Sequence, residues 1–161
     1  MTLAPDAPQE TIRVVLADDE SLFVEALAAL LEIDERIDVV GRAHDGLEAL
    51  RLVASARPDV VVMDLDMPRI NGIGATRILN AEYPFVRVVI VTASIAPEDL
   101  DRAREAGAAA YVTKDRVHEE LNEILLEVAA DAERELSPFP WGQGFPEPAV
   151  SRAAGSYRGS P

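Results

Sequence analysis

Val60-Val61-Val62-Met63-Asp64 is the stretch on which the fold turns. Four consecutive apolar residues do not alternate, as a strand with one wet face would. They suit a strand buried on both faces, and such strands belong to parallel sheets covered by helices. Pro58 and Asp59 bound the run on one side, and the loop Met67 to Gly74, with its Pro and Gly, bounds it on the other. The acid at its end has no place inside that core, so Asp64 marks where the strand leaves it.

Outward from this run, β-branched runs and amphipathic stretches alternate five times. Ile12 to Ala17 is a strand that ends in Asp18-Asp19-Glu20, and from Ser21 onward Leu22, Phe23, Ala26, Leu27, Leu30 and Leu31 recur at helical spacing. Ile37 to Val40 is the next strand, with Gly41 to Ala43 as an extension. Asp45 and Glu48 form a capping box, and the helix they open stops before Pro58. Beyond Asp64 the pattern predicts a helix around Ala75 to Glu82 and a strand over Val86 to Val91. A helix follows from Pro97, with Glu98 and Asp99 complementing its dipole and Gly107 at its end. Ala108 to Val112 is the fifth strand, and Val117 to Glu135 the last helix, apolar at Leu121, Ile124, Leu125 and Val128. Strands and helices in alternation imply an open, doubly wound parallel sheet with right-handed crossovers.

Composition narrows the function classes. The chain has 161 residues, 48% of them hydrophobic, which suffices for one domain with a real core. The formal net charge is -14, a balance that repels nucleic-acid phosphates and argues against direct binding of DNA or RNA. No run of about twenty apolar residues suggests a membrane span, and Met1 to Glu10 lack the basic and apolar parts of a secretory signal. Cysteine is absent, which excludes disulfides and suits a reducing cytoplasm.

In a doubly wound sheet, sites form beyond the carboxyl ends of the strands. There the first strand offers Asp18 and Asp19, the third Asp64, the fourth Thr92 and the fifth Lys114. Crowded carboxylates repel one another, and a hard divalent cation relieves them; oxygen ligands without His or Cys favour Mg²⁺. With the metal held by Asp18 and Asp19, Asp64 becomes a nucleophile for phosphorus. Lys114 and Thr92 then bind the phosphoryl oxygens where charge develops.

These pieces resemble the receiver domain of two-component response regulators. The resemblance rests on Val14 to Glu20, Met63-Asp64-Leu65-Asp66-Met67-Pro68, Val89 to Ala93 and Ala110 to Lys114, within residues 11–135. It implies a flavodoxin-like sheet of order 2-1-3-4-5 with helices on both faces. Asp64 would accept a phosphoryl group from a sensor histidine kinase or a phosphotransfer protein. Mg²⁺ would be held by Asp19, Asp64 and the backbone carbonyl of Asp66, with Asp18 acting partly through water. Thr92 and Tyr111 would form the switch that reshapes the face of the fourth helix, fifth strand and fifth helix for a downstream protein effector or for homodimerisation. Such a protein is a cytoplasmic signalling switch that catalyses only its own phosphoryl transfer and autodephosphorylation, not an enzyme of metabolism.

Met67-Pro68 and Lys114-Asp115 are similar to receivers of the nitrate-response type, which precede a DNA-reading helical domain. Here residues 1–10 read as a flexible start and 136–161 as a Pro- and Gly-rich, disordered tail or a docking extension. A single-domain regulator is therefore expected. Two rivals stand beside it: a degenerate receiver that binds without phosphate, and a haloacid-dehalogenase-like phosphatase. Asp64-Leu65-Asp66 suits the phosphatase, while Pro68 and the upstream Asp18-Asp19 do not. His44 and His118 sit in no ligand cluster and read as surface residues.

Overall fold

The computed structural model describes residues 11–134. The flexible start, the tail and the expected final residue of the last helix, Glu135, lie outside the described residues. Strands β1 (Ile12–Ala17), β2 (Ile37–Ala43), β3 (Val60–Met63), β4 (Arg87–Thr92) and β5 (Ala110–Thr113) form one parallel sheet in the order β2-β1-β3-β4-β5. Between and after them run α1 (Ser21–Glu32), α2 (Gly46–Ala56), α3 (Gly72–Glu82), α4 (Pro97–Ala106) and α5 (Val117–Arg134). Right-handed crossovers put α1 and α5 on one face of this order and α2, α3 and α4, packed side by side, on the other.

The apolar run that opened the reading is the middle strand. Val60 to Met63 are all buried, and β3 pairs with β1 on one side and β4 on the other. Burying each such side chain is worth roughly 1.5–3 kcal/mol, so this strand anchors both helical layers. Its register also sets the site. Ala17 pairs with Met63, so Asp18 and Asp64 emerge side by side from neighbouring strands, and the Asp64 N–H donates to the Ala17 carbonyl at 2.9 Å. Thr92 pairs with Thr113, which brings Lys114 to the same edge.

Several boundaries differ from those read in the sequence. On α1 the buried stripe is Val24, Leu27, Ala28 and Leu31, an i, i+3, i+4, i+7 set, while Leu22 is 87% exposed and Ala26 is also outside it. Strand β2 takes its full length to Ala43, with an irregularity opposite Val14 and Val15. Strand β4 lies one residue further on than hydropathy suggested, and β5 starts two residues later and ends one later, because pairing rather than apolarity fixes their ends. The capping box at α2 forms in part. Asp45 Oδ1 accepts from the Glu48 N–H at 2.8 Å, but Glu48 Oε2 accepts from His44 N, one residue before the cap.

The start of α3 differs most. It begins at Gly72, with Asn71 Oδ1 accepting from the Gly74 N–H at 2.8 Å, rather than at Ala75. Gly72 N donates to the Leu65 carbonyl at 2.9 Å, so the helix start lies on the backbone that carries Asp64. A Cβ at residue 72 would stand 2.1 Å from the Asp64 carbonyl oxygen, a contact no side chain tolerates. At Gly74 the nearest atom would be Ile70 Cγ2 at 3.3 Å. Gly72→Ala should therefore destabilise by roughly 2–4 kcal/mol in urea denaturation. Gly74→Ala should stay within about 1 kcal/mol of wild type, since the gain in helix propensity offsets mild crowding. Equal losses at both positions would contradict this account of the α3 start.

Candidate functional site

Asp18, Asp19 and Asp64 each place one carboxylate oxygen within 4.8 Å of the others. Asp18 and Asp64 are buried and Asp19 is exposed, so the cluster opens to solvent on the Asp19 side. Backbone donors fix two of the three. Asp18 Oδ1 accepts from the Glu20 N–H, and Asp64 Oδ1 from the Leu65 N–H, both at 2.9 Å. Each acid therefore has its Oδ2 left for other work. The Lys114 ammonium answers both: its Nζ lies 2.7 Å from Asp18 Oδ2 and 3.6 Å from Asp64 Oδ2. It also donates to Glu20 Oε1 at 3.0 Å.

One ammonium cannot neutralise this group. Asp64 is only 6% exposed, and burial, followed by the negative charge of Asp18, pushes its carboxyl up to about 6. Lys114 and the Leu65 N–H pull the other way and do not prevail. Burial also works against the charged form of Lys114, but its hydrogen bonds to Asp18 and Glu20 outweigh it and hold the ammonium above its usual range. The site is thus an anionic pocket with an unmet need for positive charge. Three converging oxygens, no nitrogen or sulfur ligand and an open side fit a hard divalent cation.

Thr92 and Tyr111 complete the expected set. Thr92 is 1% exposed at the end of β4, and its Oγ1 accepts from the Ser94 N–H at 3.3 Å, which leaves its own hydroxyl proton to donate. Tyr111, which its strand position alone would leave half-buried, is 2% exposed and donates its hydroxyl to the Ser94 carbonyl at 3.0 Å. Burial pushes the phenol up to about 12, so it stays protonated. Ser94 Oγ in turn donates to Asp99 Oδ2 at the start of α4. The loop after β4 thereby links Thr92, Tyr111 and α4. Asp66 is exposed beside the cluster, and its charge adds to the upward pressure on Asp64. His44 and His118 are exposed and away from these acids, as expected.

Sequence reasoning missed Gly72, Glu20 and Phe23. Gly72 lay in a stretch read as loop. Glu20 was visible as the third acid of its run, and Phe23 only as part of an apolar stripe, yet the Lys114 ammonium sits 4.5 Å above the Phe23 ring centre.

The model of the response regulator receiver domain matches residues 14–126. The chain belongs to this family. As a receiver, it is 38% identical over 127 residues to the response regulator GacA of Pseudomonas aeruginosa, covering 79% of this chain and 59% of that protein. It is 37% identical over 110 residues to the uncharacterized transcriptional regulatory protein YhcZ of Bacillus subtilis, covering 68% and 51% respectively. The chain spans about half the length of the curated relatives it matches. Among solved structures, the receiver domain of the putative response regulator NarL from Mycobacterium tuberculosis is similar, with TM-score 0.72 and 33% identity. That match covers 75% of this chain and all but 2% of the other, at 98%. The response regulator domain of Thermotoga maritima CheB gives TM-score 0.68 at 29% identity, covering 79% and 99%. The receiver is a domain of two-component signalling, and neither rival reading is favoured. Among the described residues, no helix is long and apolar enough to cross a membrane.

The raised carboxyl of Asp64 has a consequence for stability in the metal-free protein. In the unfolded chain this acid titrates near 4. The folded receiver therefore holds the proton more tightly, and ionisation of Asp64 opposes folding. The penalty is complete above pH 6, shrinks as pH falls through about 6, and vanishes below about 4. Without divalent cations, Asp64→Asn should raise Tm at pH 7.5 by roughly 3–8 °C, with the advantage fading by pH 5. A variant no more stable than wild type in a thermal scan at pH 7.5 would contradict the charge balance described here.

Proposed function

We propose that this receiver takes a phosphoryl group on Asp64 from a sensor histidine kinase or phosphotransfer protein, and that Asp18, Asp19, Asp64 and the Asp66 backbone carbonyl hold Mg²⁺. The observation that carries this reading is the state of Asp64. It is a buried, electron-rich carboxylate with one oxygen tied to a backbone N–H and the other turned toward Lys114.

The free oxygen, Oδ2, is the nucleophile. It forms a bond to phosphorus as the bond from phosphorus to the donor's imidazole nitrogen breaks. The leaving imidazole keeps the electron pair and takes its proton from water. The upward pressure on Asp64 makes it a better nucleophile than an exposed acid, while neutral pH keeps it ionised. Mg²⁺, when bound, would supply charge opposite the phosphoryl oxygens and relieve the repulsion among the three acids. Lys114 donates to the phosphoryl group from the β5 side, and Thr92 offers the hydroxyl proton that its bond from Ser94 leaves free.

The signal leaves through Ser94. Movement of Thr92 toward a phosphoryl oxygen displaces the Ser94 carbonyl that holds the Tyr111 hydroxyl, and with it the α4–β5–α5 face. A protein effector that reads this face, in the cytoplasm beside the kinase, completes the path. The domain proper then spans residues 11–135, and it acts as a switch rather than as an enzyme on outside substrates.

Incubation with acetyl phosphate and Mg²⁺, followed by intact mass measurement, should show one phosphoryl group per chain, and none when EDTA is present from the start. Asp64→Asn should take none, and Lys114→Ala should slow uptake by roughly 100-fold. Equal uptake by the Asp64 variant would refute the assignment. Sustained release of phosphate from simple esters would favour a phosphatase, and no uptake by wild type would favour the phosphate-independent binder.

A further inference from the structure

Lys114 makes contacts that phosphoryl transfer does not require. Of the three carboxylates around its ammonium, Asp64 is the farthest, at 3.6 Å, beyond hydrogen-bond reach; Asp18 at 2.7 Å and Glu20 at 3.0 Å are within it. The fourth contact is the face of Phe23. Glu20 and Phe23 come from the same turn at the start of α1, so they bracket the ammonium from one side. Glu20 sits at the cap position of α1 yet makes no side-chain cap hydrogen bond, although a carboxylate there has free helix N–H groups before it. Its side chain is 67% exposed and is spent on Lys114 instead.

We infer that Glu20 and Phe23 form a resting seat for Lys114, holding its ammonium on the β1–α1 side until a phosphoryl group on Asp64 draws it across. The inference rests on Asp64 being the acceptor. Glu20 is then a positioning residue that acts through Lys114 and touches neither phosphorus nor metal. An exposed carboxylate and a ring face are each a weak hold on an ammonium. A phosphoryl group on Asp64 brings up to two negative charges and three acceptor oxygens, enough to empty the seat. While the seat is filled, Lys114 stands off the oxygen that must attack, so the seat slows the uptake of phosphate without blocking it.

Two variants separate the seat from simple repulsion of an anionic donor by Glu20. Glu20→Gln removes the charge. Glu20→Asp keeps it, but the shorter carboxylate falls back onto the α1 cap and loses Lys114. Both should raise the maximal rate of phosphorylation at saturating acetyl phosphate and Mg²⁺ by about 2–5-fold. A faster Glu20→Gln beside an unchanged Glu20→Asp would mean donor repulsion and would overturn the seat; so would two unchanged variants. The second readout is proton NMR of the Lys114 side chain. Its methylene signals next to Nζ should lie upfield through the ring current of Phe23, and return to ordinary positions with beryllofluoride and Mg²⁺, or in Phe23→Leu. Signals that stay in place on beryllofluoride binding would overturn the inference. If wild type takes up neither phosphoryl group nor beryllofluoride, the acceptor reading itself fails. The Lys114 signal in Glu20→Gln then decides the seat alone, supporting it by moving and overturning it by staying.

Discussion

A single ammonium shared among Asp18, Glu20 and Asp64 is the interaction on which the site depends. Two of these acids are buried, and buried charge is costly unless compensated. Lys114 compensates in part, and the shortfall appears as the raised proton affinity of Asp64. A site balanced in this way answers to any added charge. A divalent cation would relieve it, and a proton would relieve it less.

The fold exists to hold this imbalance in place. Parallel pairing of β1 with β3 forces Asp18 and Asp64 out of the sheet together, and pairing of Thr92 with Thr113 at the ends of β4 and β5 brings Lys114 out at the same edge. Neither pair can separate without breaking the buried ladder beneath it. Gly72 contributes from the other side by letting α3 start directly on the Asp64 backbone. At the rim lie the exposed Glu20 and the loop through Ser94 that joins Thr92 to Tyr111 and α4.

The five strands and the polar residues at their ends were legible in the sequence, each from a local signal, whereas the order of the sheet came only with the resemblance to receivers. The unread features depend on where chains meet. Nothing near Gly72 in the sequence says that the carbonyl of residue 64 lies against it. Glu20 and Lys114 are 94 residues apart, and their hydrogen bond follows only from how β1 and β5 end. Phe23 fitted an apolar stripe on α1, but that stripe is centred on Val24 and Leu27, which turns Phe23 toward the site and Leu22 out to solvent. Tyr111 is buried with the whole of β5, and its hydroxyl is satisfied there by the Ser94 carbonyl, a partner 17 residues away.

The central claim is that Asp64 sits in an under-compensated acidic cluster, and carboxyl ¹³C NMR of the metal-free protein tests it most directly. The account predicts a titration midpoint for Asp64 near 6, moving downward when Mg²⁺ is added. A midpoint near 4, unmoved by Mg²⁺, would contradict it.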